Sequence, residues 1–317
     1  MAADFSKYKN WRQIEKDIHN ISIQGARNVT LGSLHAIRLA MDEIKGNDGR
    51  KLVESLSKIS LRIMDARPTE PMTRAILSGL IKHSIRLTEE EKSSRNIRAR
   101  MNRSIGRIEG LMKESMKRMA EIGSNYIENG TTIMTYCHSS SGTNIIKKAH
   151  DRGNIGKVFV CETRPLYQGR ITANELSSYG IETYLIVDGA MAAYAKKADM
   201  AMVGADAITS TGDLINKIGS CSLSVVFKAY SKPFVSAAEA LKFDPDTSFG
   251  FNEKIEQREG SEIWEKAPKK LKLLNPAFDQ TPADNISAYI TNVGICSSEN
   301  IEDAYEKAKA ELDDVLC

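Results

Sequence analysis

Near residue 130 the hydrophobic repeat of this 317-residue chain changes period, and that change constrains the fold more than any single motif. Upstream, apolar residues recur at three- and four-residue steps. Leu34, Ile37, Met41 and Ile44 share one helical face. From Ile97 the series Met101, Ile105, Ile108, Leu111, Met116, Met119, Ile122 and Tyr126 keeps mostly the same steps, which predicts one long amphipathic helix. Its basic residues Arg95, Arg98, Arg100, Arg103 and Arg107 read as a solvated face, and "TEEEKSSRN" before it reads as a charged loop. Downstream the texture is different. "TTIMTYC", "KVFVCET", "ETYLIVD", "DMAMVGAD" and "KPFVSAAE" are short, nearly continuous apolar runs, the pattern of strands buried on both faces. Polar, helix-like segments separate them, and "ISAYITN" with a last helix from "SENIEDAYEKAKAELDDVL" closes the chain.

Buried strands alternating with helices mean βαβ units and a parallel sheet. The expected class is therefore α/β: an N-terminal all-helical domain over residues 1–127, then a Rossmann-like, doubly wound parallel-sheet domain over 128–317. Several functions are excluded early. No apolar run reaches the roughly 18 to 20 residues of a membrane span, and "MAADFSKYKNWRQIEKD" carries no signal-peptide core, so a cytoplasmic protein is expected. A formal charge of +3 is too mild to argue nucleic-acid binding. Five widely spaced cysteines form no CxxC pair and five histidines no HExxH, which argues against disulfides, zinc ribbons and a protein-built metal site. GxGxxG and GxxxxGK[ST] are both absent.

In open parallel sheets ligands bind beyond the carboxyl ends of the strands, at the switch in strand order. The residues there are Cys137-His138-Ser139, Glu162-Thr163-Arg164-Pro165, Asp188, Gly204-Ala205-Asp206 and Glu239. Cys137 precedes "HSSSGTN" at a predicted helix start, where backbone N–H groups and the helix dipole would hold an anion and favour a thiolate. It reads equally well as a small buried hydrophobe ending a strand, with Ser139 as the helix cap. Asp206 emerges from an apolar strand, where desolvation would suit a general acid; a turn cap is the other reading. Asn216 with Lys217 precedes another helix, and Lys217 and Lys242 are candidates for a phosphate or an oxyanion, or plain surface charges. His138, beside Cys137 on a strand, points to the opposite face and has at most a supporting role. Cys161 and Cys221 read as ordinary packing residues.

Taken in order, "TYCHSSSGTN", "CETRPLYQGR", "VDGAM", "VGADAITSTGDLINKIGS" and "AAEALKFDPDT", with "ISIQGARN", "DARPTEP" and "NPAFDQTP", resemble one superfamily over essentially the whole chain. It includes archaeal ribose-1,5-bisphosphate isomerase, methylthioribose-1-phosphate isomerase and the α, β and δ regulatory subunits of translation initiation factor 2B. The resemblance to the isomerases implies Cys137 as the base that moves a proton between C1 and C2 of an aldose phosphate, and Asp206 as the partnering acid. It implies substrate binding by Gly25 and Ala26 of the "QGARN" loop, Arg67, Asn216, Lys217 and Lys242. The loop departs from the family's "RGAGK" pattern: Gln24 and Asn28 replace its outer cations, and Arg27 is the basic residue left. No metal and no cofactor is implied. The implied partners are a phosphorylated pentose, a nucleoside monophosphate as candidate activator, and further copies of the chain in a dimer or hexamer. A direct nucleic-acid partner is not implied. The alternative carried by the same resemblance is a regulatory subunit that contacts the α subunit of initiation factor 2.

Overall fold

The structure, a computed structural model, describes residues 4–250 and 255–317, with ten α-helices and ten strands among them. The helices are α1 (Trp11–His19), α2 (Ala26–Glu43), α3 (Gly49–Asp65), α4 (Pro71–Glu90), α5 (Ser94–Tyr126), α6 (Ser140–Asp151), α7 (Gln168–Ser178), α8 (Met191–Ala195), α9 (Ser220–Ala229) and α10 (Ile301–Leu316). The strands are β1 (Thr131–Tyr136), β2 (Ile155–Cys161), β3 (Thr183–Ile186), β4 (Met200–Val203), β5 (Ala207–Ile208), β6 (Leu214–Lys217), β7 (Phe234–Ala237), β8 (Phe278–Thr281), β9 (Ala288–Thr291) and β10 (Gly294–Cys296). None of these helices is long and apolar enough to cross a membrane.

Two compact units divide the chain, one up to Glu114 together with Glu306–Cys317, the other Ser115–Tyr305. The division expected at 127/128 marks the end of α5, whereas the units part inside that helix. Its second half turns Met116 and Met119, and Ile127 just after it follows, into the sheet unit's core beside Ile133, Ile146 and Met202, so packing there outweighs chain continuity. The last turns of α10 count with the first unit because Leu312 and Leu316 lie against Gly79 of α4.

The first unit is helical for local reasons. Asn10 caps α1 by accepting from Gln13 N–H, Asp48 caps α3 by accepting from Arg50 and Lys51, and Pro71 opens α4. The stripe Leu34, Ile37, Met41 is buried, as are Ile76, Leu80, Ile105 and Ile108. Of the basic face on α5, Arg98 is not simply solvated: its guanidinium donates to the carbonyls of Met41 and Ile44, at the C-terminal end of α2. α4 also runs on to Glu90, which shortens the charged loop to Glu91–Ser93.

The second unit carries a seven-stranded sheet in the order β10-β9-β7-β4-β1-β2-β3, parallel except for β10. The chain winds outward from β1 in both directions, so the order switches between β1 and β4. Every residue of β1, β4, β7 and β9 is buried, which explains the unbroken apolar runs, while edge strand β3 exposes Tyr184 and Leu185. A second, antiparallel sheet, β5-β6-β8, was not anticipated. It grows from the loop after β4, and its small core is Ala207, Ile215, Ala277 and Phe278.

Candidate active site

Cys137 is the first residue beyond β1, at the switch point, and it sits in the left-handed region with φ of 66°. A non-glycine residue there costs roughly 1 kcal/mol or more, and the surroundings must hold it. Its N–H donates to Thr163 Oγ1 at 2.8 Å, and its carbonyl accepts from Thr172 Oγ1 at 2.8 Å. Thr163 is itself left-handed, with φ of 62°. Asp188 pins it by accepting from the N–H groups of Thr163 (2.8 Å) and Arg164 (2.7 Å). Because Thr172 spends its proton on Cys137, His138 Nδ1, 3.0 Å away, must be the donor between that pair. His138 thus braces the cysteine's backbone.

Ser139 caps α6 by accepting from Gly142 N–H, and Gly204 after β4 lies against it. A Cβ at Gly204 would come 2.7 Å from Ser139 Oγ, so only glycine lets the two strand ends approach. Two residues on, Asp206 enters the β5–β6 hairpin, where its N–H donates to the Ile215 carbonyl at 3.0 Å. The register Ala207↔Ile215 carried one step further sets Asp206 across from Asn216, with Lys217 next along the strand. Asn216 and Lys217 are therefore the last residues of a strand, just ahead of α9. The aspartate and the lysine come near enough to act on the Cys137 thiol, and the cysteine and the aspartate near enough to act on Lys217.

Both lysines are buried rather than superficial. Lys217 is 6 % exposed and Lys242 is 7 % exposed. Lys242 Nζ donates to the Ala205 carbonyl at 2.6 Å, which fixes the peptide before Asp206. Asn216 Nδ2 donates to Ser220 Oγ at 2.8 Å, and that hydroxyl donates to the Lys217 carbonyl at 2.7 Å.

The expected thiolate is not what this environment favours. Burial pushes the Cys137 thiol up to about 12, against the pull of Lys217, while Asp206 and Asp188 push it further up. Desolvation outweighs the helix dipole, whose effect is about 1 kcal/mol. Burial likewise lowers Lys217, opposed by Cys137 and Asp206.

The start of α9 is also no open anion site. Asp279 Oδ2 accepts from the N–H groups of Gly219 (2.6 Å) and Cys221 (3.1 Å), so the protein's own carboxylate fills it. Burial raises Asp279 to about 6 despite those two bonds, and its Oδ1 has no hydrogen-bond partner among the described residues. Asp279 explains the aspartate of "NPAFDQTP", a motif that gave no role by itself. Thr163 and Asp188 stood among the strand-end residues, but nothing local marked them as braces.

Gly25, Ala26 and Arg67 belong to the first unit. Gly25 precedes α2 with φ of 81°, a conformation that favours glycine, and Ala26 is the first, buried residue of that helix. Arg27 Nη1 donates to the Met112 carbonyl at 2.8 Å. Arg67 Nε lies 3.2 Å from Glu70 Oε1, a buried pair within "RPTEP". Among the described residues no cluster of three or more His, Cys, Asp or Glu side chains is placed to hold a metal ion.

The chain matches the Initiation factor 2 subunit family over residues 22–298. It is 34 % identical over 289 residues to a protein of Pyrococcus furiosus named ribose 1,5-bisphosphate isomerase, covering 89 % of each chain. It is 32 % identical over 311 residues to a methylthioribose-1-phosphate isomerase of Pelotomaculum thermopropionicum, covering 92 % of this chain and 84 % of that one. Among solved structures it is similar to a translation initiation factor eIF-2B from Pyrococcus horikoshii OT3. The TM-score is 0.76 at 26 % identity, over 90 % of this chain and 96 % of that one.

Proposed function

This chain belongs to the initiation factor 2 subunit family, and from that premise we propose that it is an aldose–ketose isomerase of a ribose phosphate, converting ribose 1,5-bisphosphate to ribulose 1,5-bisphosphate. The observation that carries the proposal is the placing of Cys137 at the switch point with Asp206 and Lys217, neighbours in the small sheet, near enough to act on its thiol. The names of relatives at 34 and 32 % identity support the same chemistry. Asp206, in its acid form, protonates the ring oxygen as its bond to C1 breaks, leaving C1 double-bonded to the phosphate ester oxygen. The Cys137 thiolate takes the C2 proton, and the freed electron pair makes the C1=C2 enol. Cys137 then returns that proton to C1 while Asp206 takes the C2 hydroxyl proton, so the ketone forms and both side chains recover their starting states.

Lys217 faces the oxygen on which negative charge grows as the enol becomes the ketone, where a fixed cation in a dry site is most effective. Lys242 holds the Ala205 peptide and so aims Asp206. Gly25, Ala26 and Arg67 are further proposed substrate contacts, and the protein is proposed to be a homo-oligomer. The test is to incubate the protein with ribose 1,5-bisphosphate, ribose 5-phosphate and methylthioribose 1-phosphate, and to follow ketose by NMR, with and without a nucleoside monophosphate. Turnover of the bisphosphate that Cys137→Ser and Asp206→Asn both abolish supports the assignment. Absence of turnover on all three refutes it and favours the regulatory-subunit reading.

A further inference from the structure

The last residue of β1 plays no part in the steps above. Tyr136 pairs with Val203 of β4 and stands one residue before Cys137, at the switch point. Its ring reaches to the turn between β6 and α9, where Gly219 stands two residues beyond Lys217. A Cβ built at Gly219 would run into Tyr136 Oη and come 2.5 Å from Tyr136 Cζ. The phenol is seated there only because Gly219 has no side chain, and the φ of 106° at Gly219 favours glycine as well. The contact is not a hydrogen bond, since the Gly219 N–H is given to Asp279 Oδ2 at 2.6 Å. The hydroxyl thus lies between the ends of the two strands that carry the proposed chemistry, β1 leading to Cys137 and β6 ending at Lys217.

Tyr136 is only 3 % exposed, and packing accounts for its ring. Packing does not account for its oxygen. Tyr136 Oη makes no hydrogen bond among the described residues, and it is not one of the wholly sealed, unpartnered oxygens, as Asp279 Oδ1 and Thr281 Oγ1 are. The hydroxyl therefore keeps a narrow opening to the space around it. A buried tyrosine hydroxyl ordinarily finds a partner, and one that does not gives up hydration without return. Phenylalanine would fill the same volume against Gly219 and avoid that loss. Folding gains nothing from the oxygen, whereas an acceptor entering beside Cys137 would satisfy it. Burial first, and then the Asp188 carboxylate and the thiols of Cys161 and Cys137, hold the phenol well above its ordinary value. It is thus a neutral donor, able to serve an oxygen that gathers negative charge without losing its own proton.

We propose that Tyr136 is a further catalytic residue of the isomerisation, its hydroxyl donating a hydrogen bond to the C2 oxygen of the sugar phosphate as the enol becomes the ketone. The role rests on the isomerase reading. No bond is made or broken at the tyrosine, and the C2 hydroxyl proton still goes to Asp206. Tyr136→Phe removes the donor and leaves the packing. It is expected to lower kcat for ribose 1,5-bisphosphate about 100-fold. KM stays within about threefold, because the bond is made fully only in the transition state, and the melting temperature does not fall. The rise of kcat/KM between pH 7 and pH 9 persists in the variant, since the Cys137 thiol still titrates. A kcat within about threefold of wild type overturns the proposal. So does loss of that pH rise, which would mean that Tyr136 acts through Cys137 and not on the sugar. If Tyr136→Phe melts early, 3-fluorotyrosine at position 136 is read instead. It keeps the ring and makes the phenol a stronger donor, so kcat should rise about threefold, and an unchanged kcat overturns the role. A wild-type protein that turns over no sugar phosphate sinks the isomerase reading and this role with it. Equal turnover by the wild type and Tyr136→Phe sinks the role alone.

Discussion

Asp279→Asn pits burial against helix capping at one atom. The Asp279 carboxylate takes two backbone N–H bonds at the start of α9, and the helix dipole adds to them. Each influence favours the charged form by about 1 kcal/mol. Burial acts the other way and wins, raising the group from 3.8 to about 6. At about 1.4 kcal/mol per pH unit, that displacement corresponds to about 3 kcal/mol. The native state holds this proton more tightly than the unfolded chain does. Its stabilising contribution is therefore complete below pH 3.8 and disappears as the pH rises through 6. Asparagine keeps an acceptor for the two N–H groups and has no such proton. Its amide also sets a donor where Oδ1 now lies without a partner, a pH-independent cost of about 1 to 3 kcal/mol. The offset between the two proteins can therefore take either sign, but its slope cannot. Urea denaturation followed through the transition of the sheet unit, at fixed ionic strength from pH 4 to pH 7, should show the difference moving in favour of Asp279→Asn by about 2 to 3 kcal/mol. Parallel stability curves, or a difference that moves toward the wild type as the pH rises, would refute the reasoning. The N–H bonds would then outweigh desolvation.

Two further outcomes follow from the same site. Because burial holds the Cys137 thiol up at about 12, kcat/KM for the bisphosphate should climb about tenfold per pH unit between pH 7 and 9; a plateau already present at pH 7 would show a thiolate in the free enzyme. Gly204→Ala places a Cβ 2.7 Å from Ser139 Oγ and 2.8 Å from Ser139 Cβ, so it should cost about 2 to 4 kcal/mol through the clash and the displaced α6 cap. Adding Ser139→Gly should recover part of that in a double-mutant cycle on urea midpoints, and full additivity of the two changes would exclude the contact as the cause.

The parts of this molecule that were legible from sequence are those whose causes are local. Six apolar runs became the six parallel strands because a strand covered on both faces has no polar side to interrupt it, as with the wholly buried residues of β1 and β4. Strand ends then pointed to Cys137 and Asp206, because the switch between β1 and β4 follows from winding order alone. The small sheet was invisible for an equally physical reason. β5 has two residues and β6 has four, too few for a period to register, so "ITSTGD" showed only its turn chemistry. That omission hid that Asn216 and Lys217 end a buried strand ahead of α9, and it left the lysines readable as surface charges. The thiolate reading at Cys137, one of the two that the local sequence leaves open, meets a related limit. A helix start is written in adjacent residues, whereas desolvation is contributed by chain far away, and Asp279, 58 and 60 residues from the amides that it caps, illustrates the distance involved. Helix-end electrostatics amounts to about 1 kcal/mol, and burial to several times that. A charge state read from a local motif will therefore fail wherever the fold closes over it. In this protein the fold buries Lys217 and desolvates the partly buried Cys137, the cation and the acceptor of the proposed proton transfer, so their chemistry can be judged only with the second sheet in place.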